Sequence, residues 1–166
     1  MTAVLRFCAS LLLAVTLAAL GGCGGGDPQE TSTPSEPSLP EGELALDNIW
    51  VRPVETGGNT ALYMSLANGQ STPDTLRSVD APIIDSVAIH RTVDTAATAT
   101  MQHVGPLPIP ADTRVTLDPG GTHVMLMNVS RPLRNGERIV LNIDLAQAGL
   151  RRVRAVVTNT PPTDAQ

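Results

Sequence analysis

The sequence predicts an all-β fold, an antiparallel β-sandwich with Greek-key connections. Short runs rich in Val, Leu, Ile and Thr recur along most of the chain, separated by clusters of Gly, Pro, Asn and Asp, as strands joined by turns require. No segment keeps a helical apolar period over three turns. Trp50, Tyr63 and Phe7 are the only aromatic residues, and Phe7 lies near the N-terminus, so the core must be built from Val, Leu, Ile, Ala and Met. Many short strands at this spacing favour two packed sheets.

In chain order, residues 1–22 carry a short basic region with Arg6, an apolar run from Leu11 to Leu20 and small residues before Cys23. This is the pattern of an export signal, too short to span a bilayer as a mature helix. Leu20-Gly21-Gly22-Cys23 resembles a bacterial lipobox and predicts cleavage before Cys23 with lipidation of its sulfur. The plainer alternative is an ordinary signal peptide with a chance cysteine. Either way Cys8 is lost with the leader, so Cys23 would be the mature chain's only cysteine and no internal disulfide can form. Residues 23–43 are rich in Gly, Pro, Ser, Thr and Glu and carry too little apolar surface to offset their ordering entropy, which predicts a flexible tether.

Residues 44–158 hold the predicted domain. Its expected strands are Leu44 to Arg52, Thr60 to Ala67, Thr75 to Val79, Ile83 to Val93, Thr98 to Val104, Thr113 to Leu117, His123 to Val129, Arg138 to Leu145 and Arg151 to Val157. Residues 159–166 read as a frayed tail. A chain of 166 residues supports one domain with a sizeable core and is short for two, and a monomer is expected.

Composition excludes several function classes. The net charge is −5, and every basic side chain is an Arg, dispersed without a basic run. With no phosphate-binding surface and no aromatic platform for bases, nucleic acid is not an expected partner. The chain has no Gly-rich phosphate loop, no paired cysteines at zinc spacing and no nucleophile with a recognisable base, so catalysis is not expected.

The informative stretch is Gly120-Gly121-Thr122-His123-Val124-Met125-Leu126-Met127. On a strand His123, Met125 and Met127 project to one side, with Val124 and Leu126 to the other. One imidazole and two thioethers then share a face, a soft and uncharged donor set that favours Cu(I) over hard cations. Upstream, a four-residue loop at 94–97 would pair Val93 with Thr98 and set His90 directly opposite Met101, close enough for both strands to clamp one ion. The same register puts His103 on the Met101 face, as an outer ligand or a solvated histidine. Singly, each Met is most often a core gap-filler and each strand His a solvated or hydrogen-bonded one. Met64 reads as core. The pairing of two independent co-orientations is what points to metal.

His90, ten residues, Met101, twenty-one residues, His123, one residue, Met125 is a spacing that resembles the signature of the PCu(A)C family of periplasmic copper chaperones. Trp50-Val51-Arg52-Pro53, Asn59-Thr60-Ala61-Leu62-Tyr63-Met64, Ile109-Pro110-Ala111, Leu117-Asp118-Pro119-Gly120-Gly121 and Arg131-Pro132-Leu133-Arg134-Asn135-Gly136 are similar to further landmarks of that family. The resemblance covers roughly Leu44 to Val157. It implies a cupredoxin-like sandwich that binds one Cu(I) through His90, Met101, His123 and Met125, with Met127 a neighbour; the strand faces themselves leave His103 and Met127 as auxiliary candidates. It also implies delivery toward the CuA centre of cytochrome c oxidase, alongside a Sco-type thiol protein, on the exported side of a membrane, where the lipobox-like motif predicts an anchor at Cys23. A copper-sequestering protein with the same site, and a cell-envelope structural sandwich without metal, are the alternatives.

Overall fold

A computed structural model describes residues 38–95 and 98–162. The expected leader at 1–22, Cys23, most of the tether at 23–43 and the last residues of the tail lie outside the described residues. The described chain forms β1 (Leu44–Val51), β2 (Thr60–Asn68), β3 (Asp74–Asp80), β4 (Ser86–Thr95), β5 (Thr98–Val104), β6 (Leu107–Ile109), β7 (Thr113–Leu117), β8 (Thr122–Met127), β9 (Arg138–Leu145) and β10 (Gly149–Val157). No helix interrupts them among the described residues.

The strands follow one hydrogen-bonded path in the order β5-β4-β8-β2-β1-β10-β9-β3-β6, with β7 pairing the far half of β2 beyond β8. The path curls back into a nearly closed sandwich, and the cupredoxin-like architecture expected from the sequence is the one found. Every ladder is antiparallel except β1 with β10, where Trp50 pairs Val156 and Val51 pairs Val157. Strand β1 bends between Asp47 and Trp50, where its register with β2 shifts and Asn48 takes a φ of 50°, a left-handed conformation that Asn tolerates better than most residues.

Alternation along the strands divides core from surface. Leu62, Met64 and Leu66 of β2, Val124 and Leu126 of β8, Leu141 and Ile143 of β9 and Val157 of β10 are fully buried together. Each side chain of this size contributes about 1.5–3 kcal/mol on burial, so aliphatic packing supplies the stability that scarce aromatics do not. Met64 is core, as expected.

Two details depart from the sequence reading. Strand β6 was not anticipated, because Pro108 at its centre demotes the run; the proline is tolerated since β6 pairs only β3 and stands at the end of the sheet. The β4–β5 ladder continues to Thr95 paired with Thr98, leaving two residues between the strands where four were expected. The stretch Asp94-Thr95-Ala96-Ala97-Thr98 has no Gly or Asn-Gly to set the loop length. Asp94 and Thr95 join the ladder opposite Ala99 and Thr98, and every pairing in the hairpin moves by two residues.

One buried charge ties the far end of the sandwich together. Asp74 accepts the backbone N–H groups of Thr75 at 2.6 Å, Gln147 at 2.8 Å and Ala148 at 2.9 Å, which joins β3 to the β9–β10 turn. Burial pushes its carboxyl up, but the hydrogen bonds from Gln147, Ala148 and Thr75 outweigh that and hold it below its ordinary value. A depressed carboxyl stabilises the fold fully above its unfolded value of about 3.9. That contribution is lost as pH falls through the lower folded value. Asp74→Asn keeps the shape and removes the charge, and is expected to cost about 1–3 kcal/mol in urea unfolding at neutral pH. The loss should shrink under acid, and a loss unchanged down to that range would rule out the ionised carboxylate as its source.

Candidate metal centre

The site lies on the outer face of the sheet, because Val124 and Leu126 face inward and so turn His123, Met125 and Met127 outward. Strand β4 runs between β5 and β8, and its ladders set the rest. His90 pairs His103 on one side and His123 on the other, so three imidazoles form a row across three strands. The ring centres of His90 and His103 are 5.8 Å apart and those of His90 and His123 are 6.1 Å apart, with the planes near perpendicular in both pairs.

The expected opposition of His90 and Met101 is corrected by this register. Met101 pairs Thr92, and His103 occupies the place opposite His90. The slip of two residues preserves the face, since strand side chains alternate with period two. Met101 is thus the diagonal neighbour of His90, within reach of a long side chain. Met125 sits between Ala88 of β4 and Ala61 of β2, two small residues that leave space beside its thioether. Met101, His123 and Met125 line one open cleft together with Thr92, Tyr63 and Gly120. Met127 shares the outer face but lies opposite Ser86, at the far end of the β4–β8 ladder.

Local geometry prepares the histidines differently. Gly120 has a φ of 85°, which favours glycine, and it turns the chain from Pro119 into β8. The Gly121 carbonyl then accepts both the Thr92 backbone N–H at 3.1 Å and the His123 ring at Nδ1 at 3.2 Å. A carbonyl only accepts, so this contact requires the Nδ1–H tautomer and leaves the Nε2 lone pair for a ligand. Beyond it, Tyr63 lies 6.3 Å from His123 between ring centres and stacks on Trp50 at 4.3 Å, and burial pushes the Tyr63 phenol up. This aromatic support was not read from the sequence as part of the site, although Trp50 and Tyr63 are the only aromatic residues in the predicted domain.

His90 has no such anchor. Its Nδ1 is buried with no hydrogen-bond partner, which is costly for a polar atom and is relieved when a ligand occupies it or the ring turns toward one. Among the described residues no three His, Cys, Asp or Glu side chains are placed to hold a metal by themselves, and no carboxylate lines the cleft. A hard divalent ion would find no anionic oxygen there. Two imidazoles with thioether sulfur suit a soft, monovalent ion.

The chain matches the family described as "Putative lipoprotein LpqE-like" over residues 44–157. It is 28% identical over 144 residues to "Putative lipoprotein Lxx21020" of Leifsonia xyli subsp. xyli (strain CTCB07), covering 86% of this chain and 84% of that one. Among solved structures it resembles the copper-bound PCuAC domain from PmoF2, at 26% identity and a TM-score of 0.61 over 75% of this chain and all of that domain. It also resembles the solution structure of CuI-DR1885 from Deinococcus radiodurans, at 30% identity and a TM-score of 0.56, over 75% of this chain and 83% of the other.

The environment of His90 yields a direct test. Burial lowers its basicity, and the neighbouring His123 and His103 lower it further. In metal-free protein its ring resonances should titrate with a midpoint below the ordinary imidazole value of about 6.5. Because the folded state resists protonating this ring, stability falls as pH drops below the unfolded value and on through the lower folded one. A midpoint at or above the ordinary value would show that the ring is not packed as described.

Proposed function

The chain belongs to the LpqE-like lipoprotein family, which is of the PCuAC type, and from that premise we propose that it is an exported copper chaperone binding one Cu(I) through His90, Met101, His123 and Met125. The observation that supports the reading is the placement of two imidazoles and two thioethers on one outer face, three of which, Met101, His123 and Met125, line a cleft that holds no carboxylate. Copper in the PmoF2 domain and Cu(I) in DR1885 support the choice of metal.

The donors also suit release. A thiolate binds Cu(I) more strongly than a thioether but is oxidised or paired in an oxidising compartment, whereas Met forms no disulfide. Copper held by His and Met can therefore pass downhill to a thiolate-containing acceptor. Met101 is 61% exposed while His123 is 4% exposed, so the ion is held against a buried imidazole and reached past an exposed sulfur. That asymmetry favours delivery over storage. The CuA subunit of cytochrome c oxidase is the acceptor we propose, alongside a Sco-type thiol protein, and lipidated Cys23 is the proposed membrane anchor. No step of this function requires the chain to act as an enzyme.

Titration of the full mature chain with Cu(I) against a colorimetric chelator tests the site. One equivalent should bind, and Met101→Leu should weaken it by about tenfold or more. Because Met101 is exposed, the same change should alter unfolding stability by no more than about 0.5 kcal/mol. Severe unfolding of Met101→Leu, or equal Cu(I) affinity in the two proteins, would remove Met101 from the ligand set. Deletion in the source organism should impair oxidase assembly; copper sensitivity with normal oxidase would identify storage instead.

A further inference from the structure

The row of imidazoles continues past the proposed ligand set onto β5. His103 stands directly opposite His90 and shares a strand face with Met101, two residues away. The ring centres of His90 and His103 are 5.8 Å apart. Two imidazole nitrogens that each lie about 2 Å from one ion place their ring centres about 5–6 Å apart according to the angle at the ion, and the separation of this pair falls in that range. The surroundings of the two outer rings differ. His123 is buried and held by the Gly121 carbonyl, whereas His103 is exposed and borders a second depression with Ala88, Val104 and Pro106. His90 stands between them with its Nδ1 unpartnered, so no hydrogen bond to that atom commits the ring to either side.

We infer that His90 and His103 form a second copper position, with Met101 as the third donor within reach. It rests on the copper reading above and shares His90 and Met101 with that site, so one ion occupies one position or the other. The two differ in access. The position with His123 and Met125 is backed by β8 and the Tyr63–Trp50 stack, while the position with His103 lies on the exposed edge strand, where a partner's ligands can approach. Movement between them is ligand exchange. The bonds from copper to His123 nitrogen and Met125 sulfur break as the bond to His103 nitrogen forms, copper stays Cu(I), and no electron or proton is transferred when His103 is neutral. The β4–β5 hairpin is thereby the hand-over surface, and His103 its exchange ligand.

The test uses the full mature chain and Cu(I) itself. His123→Gln with Met125→Leu removes both β8 donors while conserving volume, and should still bind one Cu(I), about tenfold or more weakly than wild type, in a shell that X-ray absorption shows to be mainly nitrogen. Adding His103→Gln should abolish that binding. No Cu(I) on the double variant, or retention in the triple variant, would overturn the second position. Failure of wild type to bind Cu(I) would overturn the copper reading as well, so the two failures are distinct. Circular dichroism verifies folding. If the double variant does not fold, His103→Gln alone decides: stopped-flow transfer of Cu(I) to a chelator should slow severalfold, by more than the affinity falls. An unchanged transfer rate would overturn the inference.

Discussion

The site depends on the two backbone ladders of β4. Antiparallel pairing with β8 sets His123 beside His90, and pairing with β5 sets His103 on the other side with Met101 on the diagonal. These contacts are made by main-chain groups, so the placement of the donors does not depend on a metal to gather them. The Gly121 carbonyl links the two scales. It accepts a β4 backbone N–H and also orients the His123 ring, so strand pairing and ligand tautomer are set at one atom.

Placing such a site on the outside of a sandwich separates stability from exchange. The inner faces of β2 and β8 are filled with Leu62, Met64, Leu66, Val124 and Leu126, which hold the strands in register. The outer face is then left to His90, Met101, His123 and Met125. The donors are graded from His123, buried under Tyr63, to Met101 at the exposed edge. The donors themselves are uncharged and the charged side chain lining the cleft is Arg52, so nothing in it offers anionic oxygen to a hard cation.

The remainder of the fold maintains this face from a distance. The parallel pairing of β1 with β10 joins chain segments far apart in sequence and closes the sandwich behind Trp50. Asp74 clasps the β9–β10 turn to β3 at the opposite end, with an ionised carboxylate satisfied by main-chain donors. Both are non-local ties, each made of a few hydrogen bonds.

Much was legible in the residues themselves. Strand alternation alone co-orients His123 and Met125 and turns Val124 and Leu126 inward, because the period of two is a property of every extended chain. Gly120 before β8 signals a turn for the same local reason. Three things were not legible. The β4–β5 register was two residues from the expected one, since nothing between Asp94 and Thr98 specifies a loop length. Strand β6 was hidden by Pro108, which a sheet edge accepts and a sequence pattern does not. The direct opposition of His90 and His123 required knowing that β4 lies against β8, a neighbour relation that no local pattern encodes. The sequence by itself determined which donors exist and which face of its own strand each occupies; only the tertiary structure decided which strands are neighbours and in what register, because cross-strand pairing is settled by the cooperative burial of the whole core.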